Sequence, residues 1–577
     1  MMKKLIEYIQ VILLLLSQCH SGYAENGDDQ KERLETLVRL VEGTHESGMQ
    51  STLASEISAK CGLLLAIEIQ QNWQLFTDEQ KRRLQSFVTI PVLQKNRVIG
   101  HFRVHYDTTG SNEPALLDGD SVRIPNTAEA FIDSVGKYFN EVWDYEIDSL
   151  GYEAPPFEVA ESFYNIYVEE LSQRLLYGET FPLQPPMNTT QPFLYRTHIR
   201  IDNDFLRLYS PGISGLKVTA AHEFHHAIQL GRYGYWGSDP YFLEITSTWM
   251  EDVVYDAVND YYQYIKTPSG FPRGHFTHPD LSFTFSCASC AEVDVPYSRA
   301  IWGKFIEKRF SRDMFLQTWK NIRQVRALQA LDQALFSVGS SFREAFLEWT
   351  IWNFNTGPNS DTIKYYAEGK NYPRIDTNAC IEYMHVDRSF ADSIQAISSV
   401  YFPVGILASP SQTCQNSPQM MVIISNLNFA EAYSNQRFSF RYDMSDVGNE
   451  TFKQLVNGVY VKLNVPDPAN WTSQETVPSI VTDVVVYPNP FFLKENKLLK
   501  FRLPNTTQQI ASLYIFSSSL DRIYSGDLPV IELKPLEPGV AWNARDETNA
   551  LIPSGIYFFV LTTNDKTYKG KFSVIRE

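Results

Sequence analysis

The chain has 577 residues, of which 44% are hydrophobic and 20% are charged, and its formal net charge is −17 at pH 7. A chain of this length is expected to form about two to four domains with buried cores. The strong negative charge argues against nucleic acid and against anionic membrane surfaces as partners. Beyond the N-terminal segment no apolar run is long enough to cross a bilayer, so we expect no membrane span.

The first 24 residues have the pattern of a signal peptide. Lys3 and Lys4 supply the basic start, residues 11–16 are uniformly apolar, and Ala24 is a small residue at the expected cleavage position. We therefore expect a secreted or cell-surface protein that is exported through this signal peptide.

Residues 25–98 are rich in charge and show helical spacing of apolar residues, as in the stretch from Gln30 to Leu40, and this spacing recurs as far as Leu84. The sequence allows two interpretations of this region. It can be a prosegment that is removed after folding, or it can be a permanent N-terminal helical subdomain.

From residue 99 onward, strands are predicted to precede the helices of an α+β domain that we assign to residues 99–370. The run from Val98 to Tyr106 alternates like a single strand and ends at the turn-forming residues 107–110. A helix capped by Asn126 is predicted to run through residues 130–143 to Ile147, and strands are predicted at residues 164–168 and 197–202.

The stretch from His222 to His226 reads H-E-F-H-H and fits the pattern H-E-x-x-H. Residues four apart share one face of a helix, so His222 and His226 can bind the same metal ion. Glu223 is rotated away from that pair and can act as a general base on a water molecule at the metal. The surrounding residues favour a helix that ends at Gly231.

A catalytic zinc usually has three protein ligands, and the next helix offers candidates for the third. Asp239 and Pro240 fit an N-cap followed by a first-turn proline. Glu244 comes early in this helix among apolar neighbours, where an uncompensated carboxylate is costly. We predict Glu244 as the third ligand, with Glu251, two helical turns further on, as the alternative.

Together these two helices resemble the gluzincin group of metallopeptidases, in which H-E-x-x-H is followed on the next helix by a glutamate ligand. Many secreted members carry the pattern E-G-x-A-x-W-x-E. Here the stretch from Glu244 to Glu251 reads E-I-T-S-T-W-M-E, with Ile245 and Ser247 in place of the glycine and the alanine. The resemblance implies a zincin-like catalytic domain that uses Zn²⁺ and hydrolyses peptide bonds in a protein or peptide substrate.

Three helices are predicted after the ligand helix, at residues 300–306, 314–323 and 342–352. The resemblance implies that they form the C-terminal lobe of the catalytic domain. In related metallopeptidases a tyrosine or histidine of this lobe often supports the oxyanion, which implies a catalytic role for Tyr297; a packed core aromatic is the alternative. His275 and His278 lie in a loop-rich stretch and are not predicted to bind metal.

The remainder of the chain is predicted to be β-structure in two units. Residues 371–480 favour a β-rich accessory domain of the sandwich type. Residues 481–577 resemble the immunoglobulin-like C-terminal domains of secreted bacterial hydrolases, including those that carry type IX sorting signals. This resemblance implies the secretion machinery as a partner of the C-terminal domain.

The cysteine count adds one constraint. Removal of Cys19 with the signal peptide leaves an odd number of cysteines: Cys61, Cys287, Cys290, Cys380 and Cys414. Export makes disulfides plausible. We expect a bridge between Cys380 and Cys414, and we read Cys287 and Cys290 as a local disulfide or as two thiols.

Two function hypotheses follow. The first is a secreted zinc metalloendopeptidase. The second is a surface-attached binding or adhesion protein built on a degenerate metallopeptidase fold. A degenerate enzyme would commonly lack a member of the set His222, Glu223, His226 and Glu244, and this chain has all four.

Overall fold

The computed structural model of the protein describes residues 27–42, 60–188, 190–266, 270, 272–287, 294–378, 381–382, 389–405, 420–434, 436–443, 452–455, 458–464, 484–489, 491–493, 498–503, 509–517, 521–534, 537–563 and 566–576. The signal-peptide pattern and the predicted Cys380–Cys414 bridge lie outside these residues. Cys287 is disulfide-bonded, and Cys61 is a free, buried thiol.

Residues 27–42 and 60–88 of the N-terminal region contain four α-helices, most of whose buried residues form a small core. Their bounds are α1 Gly27–Glu42, α2 Leu63–Gln71, α3 Asp78–Arg83 and α4 Gln85–Val88. Leu37, Ile69 and Phe87 belong to this core, which also includes Phe181 of the following sheet, whereas Leu63 and Ile67 of α2 belong to the main core. Helical apolar spacing thus predicted the element type correctly. In α1 the buried residues Leu34, Leu37 and Val38 form one stripe, whereas α3 has no buried residue.

The next part of the chain forms a five-stranded sheet. Its strands are β1 Lys95–Ile99, β2 Phe102–Tyr106, β3 Tyr164–Glu169, β4 Gly178–Pro182 and β5 Thr197–Asp202. Their order is β1-β2-β3-β5-β4. Strands β2, β3 and β5 are parallel, while β4 runs antiparallel to β5 at the edge. Every residue of β4 and β5 is buried, as expected for strands covered on both faces.

The prediction of one continuous strand from Val98 to Tyr106 was wrong. The chain turns at Gly100, which has φ +58°, and β1 pairs with β2 as an antiparallel hairpin. A two-residue turn preserves the alternation of side chains across both strands, so the sequence pattern alone did not show the break. The boundary that we drew between residues 98 and 99 therefore falls inside β1.

Helices cover this sheet and extend beyond it. Their bounds are α5 Ala128–Trp143, α6 Ile213–Ile228, α7 Pro240–Tyr255, α8 Tyr262–Ile265, α9 Asp294–Ser298, α10 Ala300–Arg309, α11 Asp313–Ile322, α12 Ala327–Ser337 and α13 Phe342–Phe354. The aromatic residues Phe102, Trp143 and Phe224 join β2, α5 and α6 in one cluster, with ring centroids 5.4–5.9 Å apart. None of the helices in the described part of the chain is long and apolar enough to cross a membrane.

The β-rich region after residue 378 is in contact with the helical core. Its strands are β6 Ile381–Glu382, β7 Ser389–Gln395, β8 Ser398–Gly405, β9 Met420–Asn426, β10 Arg437–Asp443, β11 Phe452–Leu455 and β12 Gly458–Asn464. Strand β10 pairs with β7, and the other strands form a sheet of order β11-β12-β9-β8-β6. Tyr401 and Ile423 belong to the main hydrophobic core, so that core continues past residue 370.

The last unit has two sheets around a separate core. Its strands are β13 Val485–Tyr487, β14 Phe491–Phe492, β15 Leu499–Arg502, β16 Ile510–Phe516, β17 Arg522–Pro529, β18 Ile531–Lys534, β19 Glu537–Trp542, β20 Gly555–Thr562 and β21 Thr567–Ile575. The sheets have the orders β13-β15-β19-β18 and β14-β21-β20-β16-β17. The protein is thus a mixed α+β molecule with several sheets. Arg502 donates to the carbonyl of Gly339 at 2.8 Å and joins this unit to the helical region.

The separate core of the last unit predicts that it can be destabilised alone. Phe501 is buried between the rings of Phe559 and Phe572, at 5.2 and 6.0 Å. We expect Phe501→Ala to lower the local free energy of unfolding by about 3–5 kcal/mol. Hydrogen exchange of peptides from residues 484–576 measures this, and Phe558→Ala, whose ring is 38% exposed, is the control. Equal loss of protection in both variants would contradict a separate core.

Candidate metal centre

Helix α6 carries the H-E-x-x-H residues into the core and does not end where the sequence suggested. It passes into a π-helical turn, Gln229–Tyr233, and the chain leaves the helix at Gly234, which has φ +92°. The prediction that Gly231 ends the helix was therefore wrong. A π turn inserts an extra residue into the helical ladder and is frequent at functional sites. This turn begins at Gln229, which is three residues after His226 and therefore its neighbour on the helix surface.

The two histidines of α6 face the same point. The Nε2 atoms of His222 and His226 lie 3.0 Å apart, and both side chains are fully buried. This is the arrangement expected from residues one helical turn apart on one face.

Glu244 of α7 reaches the same point from the neighbouring helix. Its Oε2 atom lies 3.2 Å from Nε2 of His222 and 3.5 Å from Nε2 of His226. Both carboxylate oxygens are buried, and neither has a well-formed hydrogen bond to any residue that the structure describes. A buried carboxylate without donors needs a cation, so the structure brings Glu244 to the position predicted for the third ligand.

Glu251, the alternative ligand, contacts the Nδ1 edge of His222, whereas Glu244 contacts the Nε2 edge. Its Oε1 atom is 2.7 Å from Nδ1 of His222, on the ring edge that faces away from Glu244. Its Oε2 atom is 2.5 Å from the ammonium of Lys60, which also lies 2.6 Å from Asp260. Glu251 therefore orients a histidine whose Nε2 atom is directed to the shared point.

His226 is held in a similar way through its Nδ1 atom. This atom lies 2.7 Å from Oε1 of Gln229 and 3.0 Å from Oγ of Ser247. Gln229 also donates to the carbonyl of Leu243 and to Thr246 on α7, so it ties the two helices together. Ser247, which stands where the gluzincin pattern has alanine, thus supplies a polar contact to the histidine.

Glu223 lies beside the histidines without joining their convergence point. Its Oε2 atom is 2.7 Å from Oγ1 of Thr180 on the edge strand β4 and 3.5 Å from Sγ of Cys61. Burial raises the pKa of Glu223, while the neighbouring His222 and His226 act to lower it. The structure places this carboxylate where the sequence predicted a general base.

Tyr297 belongs to α9 and contacts the site from the opposite side. Its ring centroid lies 6.3 Å from that of His222, and its buried hydroxyl has no well-formed hydrogen bond within the described chain. Burial raises the pKa of Tyr297, and the negative charges of Glu244 and Glu223 add to this effect. The catalytic role predicted for Tyr297 stays a prediction, but the residue lies at the site.

The sequence reasoning missed Cys61 as a member of this cluster. Ligand atoms of Cys61, His222, His226 and Glu244 all lie within 4.8 Å of one another, and all four residues are buried. The available signal was the odd number of cysteines after removal of the signal peptide, because an unpaired cysteine in an exported protein indicates a free thiol.

The electrostatics of the cluster favour a cation. Burial acts to lower the pKa of His222, but its contacts with Glu244 and Glu251 raise that pKa to about 9. Burial acts to raise the pKa of Glu244, but the charges of His226 and His222 lower it to about 2. The carboxylates thus stabilise a positive charge on the histidines, and a divalent cation would compensate the same negative charge.

The donor set fits zinc. Ligand atoms around a tetrahedral zinc lie roughly 3.3–3.6 Å apart, close to the separations of 3.0, 3.2 and 3.5 Å among His222, His226 and Glu244. Nitrogen and sulfur donors suit zinc, whereas calcium and magnesium prefer oxygen alone.

The other candidate groups do not resemble metal sites. The ring of His275 stacks on Trp349 at 4.4 Å, and its Nε2 atom bonds to Asn353. A second acidic group, formed by Asp252, Asp256 and Glu368, surrounds the ammonium of Lys304.

Comparisons with known proteins add little. No family model and no curated protein matches the chain. Among solved structures, part of it is similar to PorZ, an essential surface component of the type-IX secretion system of Porphyromonas gingivalis, at 23% identity over 16% of this chain and 11% of that chain, with a TM-score of 0.13. Another part is similar to dimeric latent PorU of the same organism, at 13% identity over 28% of this chain and 13% of that chain, with a TM-score of 0.15. Likeness at this level establishes no shared fold.

We expect the purified protein to bind one zinc ion per chain at the convergence point. Replacement of His226 by alanine removes one ligand from a buried site and should abolish stoichiometric binding. Metal analysis after dialysis measures this, with His101→Ala as the control because His101 is exposed. Full zinc content in the His226→Ala variant would contradict the assignment.

We expect Glu251→Gln to weaken zinc binding without removing a ligand. Loss of a partner that orients a ligating histidine costs about 10–100-fold in metal affinity. Competition with a chelator of known affinity measures the change. Asp252→Asn is the matched control, since Asp252 is the next residue of α7 and pairs with Lys304; the idea fails if both variants bind zinc like the wild type.

Proposed function

We propose that the protein is an exported zinc-dependent metallopeptidase with a zincin-like catalytic domain built from the five-stranded sheet and helices α6 and α7. The observation that carries this proposal is the buried convergence of His222, His226 and Glu244, with Glu223 beside it. A bound Zn²⁺ would supply Lewis-acid activation of water and polarisation of a peptide carbonyl.

Glu223 is the residue to which we assign proton transfer. Its carboxylate lies next to the convergence point and is held there by the hydroxyl of Thr180. In this role Glu223 takes a proton from the attacking water and later delivers it to the leaving amine, so one residue serves both steps.

The edge strand β4 supports a peptide as the substrate class. It pairs with β5 on one side only within its sheet, and it contacts Glu223 through Thr180. An extended peptide can add to such an edge through main-chain hydrogen bonds, which places its backbone beside the catalytic residues. We assign support of the developing oxyanion to the buried hydroxyl of Tyr297.

The remaining parts of the proposal concern location. The signal-peptide pattern of the first 24 residues supports export. The separate core of residues 484–576 suits a C-terminal immunoglobulin-like unit that presents the enzyme to the secretion machinery or the cell surface. In this proposal the catalytic domain carries out hydrolysis, and the C-terminal unit determines where the enzyme is located.

The test separates proton transfer from metal binding. Glu223→Gln keeps the size of the side chain but removes its basicity, so we expect normal zinc content and a kcat lowered by about 10² or more. Peptide-library hydrolysis should be measured with a chelator control, both on the whole chain and after limited proteolysis in residues 89–94. These residues connect α4 to β1, and Val92 among them is 97% exposed. A variant that holds zinc and cleaves at the wild-type rate would exclude this mechanism.

A further inference from the structure

The segment Lys60–Gly62 lies along the edge strand β4, where we place the substrate. Cys61 forms a parallel bridge with Gly178, the amide of Gly62 donates to the carbonyl of Gly178 at 3.0 Å, and the amide of Tyr177 donates to the carbonyl of Lys60 at 3.0 Å. This segment uses hydrogen-bonding groups at the start of the edge that a peptide would need.

The approach is so close that a side chain at Gly62 would collide with the protein. A Cβ atom there would lie 2.3 Å from Oε2 of Glu179 and 2.7 Å from its Cβ atom. A glycine after Cys61 therefore lets the segment lie directly against the strand.

Cys61 directs its sulfur into the metal centre. The side chain is 1% exposed, and its Sγ atom lies 3.5 Å from Oε2 of Glu223, the proposed base. The unpartnered oxygens of Glu244 independently mark this cluster as a cation site. A sulfur ligand would complete four protein ligands, which is typical of a closed zinc site rather than an open catalytic one.

Lys60 fixes the position of the segment from the other side of the backbone. Its ammonium is buried between Glu251 and Asp260 and lies 4.8 Å from the ring centroid of Tyr177. Because Glu251 also contacts Nδ1 of His222, the ion pair between Lys60 and Glu251 is linked directly to a proposed metal ligand.

An exposed connection separates this segment from the catalytic sheet. Residues 89–94 lie between helix α4 and strand β1, and Val92 is 97% exposed. Hydrolysis of one peptide bond there would cut the covalent link between the N-terminal helices and a sheet that keeps all its strands. After that cut these helices would be held by their own core and by contacts such as those of Leu63 and Ile67 with the main core.

We propose that the sulfur of Cys61 is a fourth ligand of the zinc and that the segment Lys60–Gly62 keeps the peptidase latent until cleavage in residues 89–94 releases it. The inference rests on the proposed function. The thiol binds as a thiolate and gives its proton to solvent. Release requires a protease, water and an exchange of the thiolate for solvent, and involves no oxidation.

The test compares the zinc-loaded whole chain with its Cys61→Ser variant. X-ray absorption at the zinc edge should show a sulfur neighbour at about 2.3 Å in the wild type and none in the variant. Peptide hydrolysis by Cys61→Ser should exceed that of the whole wild-type chain, because a zinc site with three protein ligands is open. It should stay below that of the cleaved wild type, because residues 60–62 still contact the start of β4. The double variant Cys61→Ser/Glu223→Gln should lose this gain.

Limited proteolysis of the wild type in residues 89–94 needs no substitution and should raise peptide hydrolysis by about tenfold or more, because it opens both the fourth zinc position and the strand edge, even if Cys61→Ser does not fold. Absence of sulfur around zinc in the folded wild type would overturn the inference, as would a whole wild-type chain already as active as the cleaved one; neither result touches the proposed function. Sulfur at the zinc together with no activity in any form would indicate a permanent structural site and would overturn both.

Discussion

The structure depends on how the negative charges of several buried carboxylates are compensated. Glu223, Glu244, Glu251 and Asp260 are all at most 2% exposed and lie around one histidine pair. Carboxylates cannot remain charged in such a place without cations and donors. Lys60 compensates Glu251 and Asp260, while the carboxylate of Glu244 is next to His222 and His226 and forms no ion pair with a lysine or arginine of the described chain. A divalent cation bound by Glu244 and the two histidines would compensate this remaining negative charge.

The scaffold is arranged so that these charges meet with little freedom. Helices α6 and α7 are joined by Gln229, the first residue after α6, whose amide contacts both His226 and α7. The edge strand β4 adds Thr180 on the other side of Glu223. Each side chain at the centre is therefore held by a neighbour on a different element, which fixes ligand directions better than one helix could.

The sequence predicted the parts of the site that local periodicity determines. The spacing of His222 and His226 specifies a shared helix face, and Asp239–Pro240 specifies where the next helix starts, so Glu244 could be found before the fold was known. Cys61 could not be found in this way, because it is 162 residues from Glu223 in the chain and only the fold brings them together. Helix α12 was missed although its apolar residues have helical spacing, whereas the β1–β2 turn and the π turn change backbone geometry without changing the apolar pattern.

The N-terminal segment and the metal centre are linked through the same charges. Lys60 and Cys61 are adjacent in an extended segment, so their side chains point to opposite sides, one to the acidic pair and the other to the convergence point. Departure of Lys60 would leave two buried carboxylates without their cation, and breaking a buried ion pair typically costs about 3–5 kcal/mol. That cost opposes spontaneous opening while the segment stays attached to its helices. After cleavage the segment can diffuse away, and water can enter to solvate Glu251 and Asp260. The same ion pairs that stabilise the closed form thus leave the opened site acidic, next to the strand edge where a substrate would bind.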